Sequence, residues 1–285
     1  MTFVLSHEWI LPRQPEAART TAFVLHGVLG SGSNFRGLAK ALVQRRPDCA
    51  LVLVDLRNHG SSTGAPAPHT LEACAHDLLT LAAHCVQVQP QLPPVSALIG
   101  HSFGGKVAVR ASAFSSFSDL RQVFVLDSSP GAVIPTDDHE VLRVIRAVRQ
   151  VPLPIASRAA VVESLGAQGL SAGLANWMTT NIRRVSDGAG ADRYEWVFDL
   201  EAIEESLRDY FAQDLWGYLG QARSRPEFHL VIAENSDRFN PELRARAERL
   251  PAASLCETHL IEKAGHWLHV DNPEAVLKLL EERLG

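Results

Sequence analysis

The sequence predicts an α/β protein with a mostly parallel central sheet and helices on both faces of that sheet. Short apolar runs alternate along the chain with amphipathic segments of helical periodicity, which is typical of strand–helix–strand units. Polar residues directly follow several of the apolar runs, and parallel sheets bind their ligands at the carboxyl ends of the strands. A chain of 285 residues is long enough for one such domain with an insertion.

The individual elements follow from the same patterns. Buried strands are predicted at residues 21–25, 50–54, 95–99, 122–126, 228–233 and 258–261. Helices are predicted at residues 35–45, 71–85, 106–113, 242–250 and 276–284. At the start of the chain, Phe3-Val4-Leu5 and Trp9-Ile10-Leu11 predict an antiparallel hairpin at a sheet edge.

The pattern changes in the middle of the chain. Residues 131–225 are helical in character and contain few apolar strand-like runs, apart from a short strand candidate at 194–197 after a turn at 186–192. We therefore expect a core made of residues 1–130 and 226–285, with residues 131–225 inserted as a helical cap.

Composition excludes several classes of protein. The formal net charge of −5 argues against a nucleic-acid partner and against an acidic membrane surface as partner. No run of about 18 apolar residues predicts a membrane span, and the amino terminus lacks the pattern of a secretory signal. We expect a soluble cytoplasmic protein, with a removed organelle presequence left open. The four cysteines are expected to be reduced thiols, and they are Cys49, Cys74, Cys85 and Cys256.

One short stretch carries the chemistry. The apolar run 95–99 leads into Gly100-His101-Ser102-Phe103-Gly104-Gly105, and a helical pattern follows. A strand, a Gly-x-Ser-x-Gly turn and a helix form a nucleophile elbow, in which a sharp turn exposes the serine hydroxyl. Residues two positions from such a serine must lack a Cβ atom. The motif alone also fits a glycine-rich turn with an incidental serine, so the partners of Ser102 decide between the two readings.

A serine hydroxyl needs a histidine to accept its proton and a carboxylate to orient that histidine. His266 lies in a Gly-His loop between the last predicted strand and the last helix. Two carboxylates are candidates for the acid. Asp127 follows the strand after the elbow, and Asp237 follows the next core strand.

Five stretches carry a family resemblance that spans almost the whole chain. They are His26-Gly27-Val28-Leu29-Gly30-Ser31, Val54-Asp55-Leu56-Arg57-Asn58-His59-Gly60-Ser61, Gly100-His101-Ser102-Phe103-Gly104-Gly105-Lys106, Asp127-Ser128-Ser129-Pro130 and Ala264-Gly265-His266-Trp267-Leu268-His269. With these motifs the chain resembles α/β-hydrolases that carry a helical cap. It is similar in particular to the small bacterial serine esterases and their mitochondrial relatives.

The resemblance implies the α/β-hydrolase fold and a catalytic triad of Ser102, His266 and an acid. It favours Asp127 as the acid, with Asp237 as the alternative, because related esterases often lack an aspartate at the second site. A dehalogenase or an epoxide hydrolase is disfavoured, because those relatives carry aspartate at the position of Ser102.

Two backbone amides complete the predicted site. An oxyanion hole needs two donors, and in this arrangement they are the N–H groups of Phe103 and Val28. His26 and His101 are expected to brace the neighbouring loops rather than to take part in the reaction.

Several charged residues have a chemical and a structural interpretation. Arg57 and Asn58 either contact a polar substrate group or hold their own loop in place, and the second is favoured. Arg143, Arg146 and Arg149 either bind a cofactor phosphate or form a solvated helix face, and the face is favoured. The sequence contains neither metal-ligand spacing nor a phosphate-binding loop, so no metal and no cofactor are predicted.

These observations predict a serine hydrolase that cleaves a carboxylic ester, with a thioester as the alternative, through an acyl-enzyme on Ser102. The partner is a small-molecule acyl substrate. A carbon–carbon bond hydrolase or lyase of the same fold is the rival enzyme, and a non-catalytic ligand-binding protein is the rival outside enzymes. Neither the acyl-chain length nor the oligomeric state follows from the sequence.

Overall fold

A computed structural model describes residues 3–186, 192–221, 226–250 and 254–285. Nine strands lie in these ranges: β1 (His7–Ile10), β2 (Thr20–Leu25), β3 (Cys49–Val54), β4 (Val95–His101), β5 (Gln122–Leu126), β6 (Ile182–Ser186), β7 (Asp192–Trp196), β8 (Glu227–Ala233) and β9 (Cys256–Ile261). Seven of the strands form one sheet in the order β1-β3-β2-β4-β5-β8-β9. Every neighbouring pair in it is parallel except β1 and β3. The predicted mostly parallel sheet is confirmed.

The strand order determines where a ligand can bind. The chain runs from β2 outward to β3 and then crosses back to β4 on the other side of β2. The loops after β2 and β4 therefore leave the sheet in different directions, and a crevice opens between them at the carboxyl ends of the strands. The elbow serine follows β4 directly, so this topology places it at the crevice.

Eleven α-helices connect and cover the strands in the described ranges: α1 (Arg36–Arg45), α2 (Leu71–Val88), α3 (Phe103–Ala111), α4 (Glu140–Arg149), α5 (Arg158–Ala167), α6 (Ala172–Met178), α7 (Leu200–Ala212), α8 (Trp216–Gln221), α9 (Pro241–Glu248), α10 (Leu268–Asp271) and α11 (Pro273–Arg283). Helices α1 and α11 bury their apolar residues on one face of the sheet. Helices α2 and α3 bury theirs on the opposite face. A strand that is buried on both faces consists of a continuous apolar run. The core strands could therefore be predicted from the sequence.

The predicted opening hairpin is wrong. Only the second of its two runs forms a strand, and β1 pairs antiparallel with β3, with Trp9 opposite Val52. The first run does not turn back on β1, because Ser6 is bound to the loop after β3. The Ser6 amide donates to Ser62 Oγ at 2.8 Å, and its carbonyl accepts from the Asp55 amide at 2.9 Å. An antiparallel edge strand was expected and is present, but its partner lies about 40 residues further along the chain.

Between β5 and β8 the chain forms helices α4 to α8 and a small separate sheet. In that sheet β6 and β7 pair antiparallel, with Arg184 opposite Tyr194. The short strand candidate at 194–197 thus corresponds to β7, which begins two residues earlier. Most of the turn at 186–192 lies outside the described residues. The division into a core of residues 1–130 and 226–285 and a cap of residues 131–225 stays a prediction.

Two further expectations can be compared with the structure. In the described part of the chain, no helix has the length and apolar character needed to cross a membrane. Cys49, Cys74 and Cys85 are buried free thiols, as expected, and Cys256 is a partly buried one. Burial raises the pKa of the Cys49 thiol to about 11, which keeps it protonated at neutral pH.

Candidate active site

The turn after β4 has the strained backbone of a nucleophile elbow. Ser102 has φ 52° and ψ −116°, and it is partly exposed between β4 and α3. A Cβ atom on Gly100 would lie 2.2 Å from the Gly104 carbonyl oxygen, and one on Gly104 would lie 2.7 Å from the His26 carbonyl oxygen. Both distances are far below a normal contact, so the turn can form only with glycine at these two positions.

His266 connects the serine to a carboxylate. The Nε2 atom of His266 lies 3.1 Å from Ser102 Oγ, and its Nδ1 atom lies 2.7 Å from Asp127 Oδ2. With the proton on Nδ1, the ring donates to the carboxylate and can accept from the serine hydroxyl through Nε2. The three residues come from loops after three different strands, β4, β5 and β9, which the parallel sheet brings to one edge.

The Asp127 carboxylate is fully buried and satisfied on both oxygens. Oδ1 accepts from the Ala233 amide at 3.1 Å, and Oδ2 accepts from Ser236 Oγ at 2.5 Å as well as from His266. Donors at each oxygen compensate for the burial of this polar group in a site that water does not reach. Asp127 also has a positive φ of 45°, an uncommon conformation for a residue other than glycine.

Sequence reasoning missed Ser236. It follows β8 by three residues, beside the more conspicuous Asp237, and a single loop serine gives no pattern to detect. Its contact with Asp127 depends on the neighbouring positions of β5 and β8 in the sheet. Asp237, the alternative acid, points away. Its side chain is 81% exposed, and its nearest cation is the adjacent Arg238, at 3.5 Å.

The two predicted oxyanion donors flank the serine. Phe103 is the first residue of α3, and Val28 lies in the loop after β2. In the ranges that the structure describes, neither amide donates to a backbone carbonyl, so both remain available to a ligand. Val28 and Ser102 line the same cavity. The first turn of α3 adds the positive end of its helix dipole beside Ser102.

His26 and His101 contact backbone groups, as a bracing role requires. His26 Nε2 accepts from the Leu56 amide at 2.9 Å, which joins the loops after β2 and β3. His101 Nε2 donates to the carbonyl of His266 at 2.7 Å and so supports the backbone of the histidine loop. Burial lowers the pKa of His26 to about 4 and that of His101 well below its usual value, so both rings are neutral at pH 7.

The cavity beside Ser102 is small. Its volume is about 40 Å³. The elbow and the loop after β9, which carries Trp267, form part of its wall. The rest comes from the segment between β5 and β8 and includes Val141, Val144, Leu174 and Trp177. Arg238 and Glu140 of α4, which pair at 2.7 Å, also line the cavity. The segment between β5 and β8 therefore forms part of the cavity wall beside Ser102.

The remaining charged candidates have structural contacts. Arg57 donates to both carboxylate oxygens of Asp77 on α2, at 2.7 and 3.2 Å, and both residues are buried. This pair holds the loop after β3, as the favoured interpretation required. Arg143, Arg146 and Arg149 are exposed on α4.

Buried neutral histidines make stability depend on pH. His59 is buried beside His26, and its pKa falls to about 3, mainly through burial. In the unfolded chain a histidine binds a proton as pH drops below about 6.5, but the folded chain resists protonation of His26 and His59 until about pH 4. The unfolded state thus takes up more protons in this window, and stability falls with decreasing pH.

We expect the free energy of unfolding to decrease between pH 6.5 and pH 4, by on the order of 3 kcal/mol per buried histidine. Urea denaturation at several pH values measures this slope. His59→Asn keeps a donor near the Arg57 carbonyl but does not titrate, so the slope should flatten. His76→Asn, at an exposed position, should leave the slope unchanged, and an equal effect of both variants would contradict the assignment.

One grouping of side chains in the described ranges has the composition of a metal site. It consists of His229, Glu257 and His259 and lies near the amino ends of β8 and β9, at the end of the sheet opposite the triad. Ser102, His266 and Asp127 make their contacts with one another, with Ser236 and with backbone, and no step of a serine mechanism calls for a metal at Ser102.

The sheet order, the elbow and the serine–histidine–aspartate contact define a class of protein, and the comparison with known sequences agrees. The sequence model of the "Alpha/beta hydrolase family" matches residues 22–279, and the chain belongs to this family. The resemblance inferred from the sequence is thereby confirmed. The chain is an enzyme, a hydrolase of the carboxylesterase type.

Two of the relatives with curated names are a lipase and an esterase. The chain is 31% identical over 258 residues to the sn-1-specific diacylglycerol lipase ABHD11 of Mus musculus, covering 88% of this chain and 76% of the relative. It is 26% identical to the esterase YbfF of Escherichia coli K12, covering 92% and 91%. The solved structure of a marine microorganism esterase superposes with a TM-score of 0.79 at 23% identity, covering 99% and 100%, which supports the fold.

Proposed function

We propose that the protein hydrolyses carboxylic esters of small acyl groups through an acyl-enzyme on Ser102. The observation that carries this proposal is the double contact of His266, at 3.1 Å to Ser102 Oγ and 2.7 Å to Asp127 Oδ2. This geometry allows one ring to take the serine proton while its other nitrogen is held by the carboxylate.

The steps follow from the contacts. Ser102 Oγ attacks the ester carbonyl as His266 Nε2 takes its proton, and the amides of Phe103 and Val28 donate to the resulting oxyanion. His266 then protonates the leaving alcohol. A water molecule, deprotonated by the same nitrogen, attacks the acyl-enzyme and releases the acid. Asp127 keeps the proton of His266 on Nδ1 and stabilises the charged ring.

The size of the cavity supports a small acyl group. A volume of about 40 Å³ beside Ser102 corresponds to about three water-sized spheres, which fits a short acyl group and not a long chain. The ABHD11 relative is named for diacylglycerol, whose chains are far larger, so a substrate of that size requires the inserted segment of this chain to move. Esters are proposed rather than thioesters because the curated relatives named above are esterases and lipases.

An ester series tests the proposed substrate class. We expect kcat/KM to fall from p-nitrophenyl acetate to the butyrate and the octanoate. Val144 lines the cavity, whereas Val148, one turn further along α4, is buried outside it. Val144→Ala should raise the activity on butyrate relative to acetate, and Val148→Ala should leave this ratio unchanged. An octanoate preference in the wild type would contradict the proposed acyl size.

We propose a positioning role for Ser236. Its hydroxyl donates to the same oxygen of Asp127 that receives the His266 proton donor. Hydrogen bonds to charged groups contribute about 1.5–3 kcal/mol, so we expect Ser236→Ala to lower kcat by about 10-fold. The lost donor should also move the acidic limb of the kcat pH profile to higher pH, which a purely structural change would not do. Ser236→Thr, which retains the hydroxyl, should recover the activity and the profile.

A further inference from the structure

A second cluster of polar side chains lies on the sheet away from the triad. His229 belongs to β8, and Glu257 and His259 belong to the neighbouring edge strand β9. The parallel register places His229 opposite Glu257, and His259 is two residues further along the same strand. Side chains two apart on a strand share a face, so the backbone itself brings the three together.

We propose that His229, Glu257 and His259 bind a divalent transition-metal ion of the zinc type. Two imidazoles and one carboxylate are donors that Zn²⁺ favours in proteins. Bonds of about 2.0–2.1 Å at tetrahedral angles separate neighbouring donor atoms by about 3.4 Å. The observed separations are on either side of that value: 3.0 Å between the two rings, and 3.9 and 3.8 Å from the carboxylate to His229 and His259.

The cluster is held in place before any ion binds. The His229 ring stacks on Phe124 at 4.3 Å and is almost entirely buried. Its Nε2 atom has no hydrogen-bond partner, so all its polar contacts are made through Nδ1, on the side of the cluster. Glu257 is 47% exposed, which leaves an open side for water as a fourth ligand.

A metal ion can bind between the two rings only if the proton they share moves to another atom. Without a metal, one ring nitrogen donates to the other across 3.0 Å. When His259 Nε2–H is the donor, His229 carries its proton on Nε2, and its Nδ1 lone pair accepts this hydrogen bond. Binding then requires only that His259 moves its proton through solvent to its own Nδ1.

Arg283 is the one cation that the contacts place against this cluster, within the described part of the chain. Its Nη2 atom lies 3.0 Å from Glu257 Oε1, on the carboxylate oxygen that does not face the histidines. A guanidinium beside the carboxylate competes with a bound cation for the same negative charge. Removing it should therefore strengthen metal binding, which is the opposite of what removal of a ligand does.

Isothermal titration of the protein with Zn²⁺ tests the proposal. We expect one ion per chain, affinity at least about 10-fold weaker in His259→Gln, and affinity about 3-fold tighter in Arg283→Gln. Each variant should keep the wild-type rate of ester hydrolysis, since the cluster lies at the far end of β8. Titration with Co²⁺ should give the visible spectrum of a tetrahedral ion in the wild type and not in His259→Gln.

The histidines near Ser102 are a competing location for Zn²⁺, so the titration is repeated in the His266→Gln background. If Zn²⁺ still binds the His266→Gln variant, and binds at least about 10-fold more weakly when His259→Gln is added, the site is the proposed one. Equal affinity in the wild type and His259→Gln overturns the proposal. So does a bound ion that disappears with His266→Gln alone, and so does weaker binding in Arg283→Gln.

Discussion

Ser102→Ala should abolish ester hydrolysis, lowering kcat by about 10⁶-fold, because the acyl-enzyme has no other oxygen on which to form. The backbone amides of the oxyanion hole remain, so a residual rate about 10³-fold above that in water is expected. Hydrolysis of p-nitrophenyl acetate by purified protein measures the change. The turn keeps its glycines, and alanine differs from serine here only by the hydroxyl, so thermal unfolding should be nearly unchanged.

A matched serine provides the control. Ser112 ends the same helix that begins after Ser102, and its hydroxyl donates to the Val109 carbonyl, away from the triad. Ser112→Ala should retain the wild-type kcat. A loss of only about 10-fold in Ser102→Ala, with the protein still folded, would show that another group is the nucleophile.

The choice between the two acids gives the second large effect. Asp127→Asn should lower kcat by about 10⁴-fold, since an amide NH₂ in place of the carboxylate oxygen forces the proton of His266 onto Nε2. The ring then cannot accept the serine proton. Asp237→Asn should leave kcat within about 2-fold of the wild type, because that carboxylate is exposed and pairs with the adjacent Arg238.

Measuring kcat for both variants across pH separates an effect on the triad from an effect on folding. Asp127 is buried, so its variant is first checked by circular dichroism and thermal unfolding. A folded Asp127→Asn with near-normal kcat, or a large loss in Asp237→Asn, would reverse the assignment. Equal, mild losses would exclude both carboxylates as the acid.

The parts that could be predicted from the sequence depend on local sterics and on burial. The elbow could be predicted because its tight turn leaves no space for a Cβ atom at Gly100 and Gly104. Glycine is therefore required at both positions and is visible in the sequence. The core strands are readable because burial on both faces requires continuous apolar runs. The end of β5 could be predicted because its apolar run stops at Leu126. Asp127 follows directly and so lies at the same edge of the sheet as Ser102.

The parts that could not be predicted depend on which distant segments meet. Ser236 touches Asp127 only because β8 lies next to β5, and strand order is not encoded in any local pattern. The opening run failed as a hairpin because Ser6 binds the loop after β3, a contact across 56 residues. The sequence likewise does not separate Asp127 from Asp237, since both follow core strands. In the structure Asp127 contacts His266, whereas Asp237 is exposed.

The central claim is that Ser102 is the nucleophile, and covalent labelling tests it most directly. The protein is incubated with a fluorophosphonate, and the modified residue is located by mass spectrometry of its peptides. We expect one adduct per chain, on Ser102, with loss of esterase activity in proportion to labelling and no adduct in Ser102→Ala. An adduct on another residue, or full activity in protein that is completely labelled at Ser102, would contradict the claim.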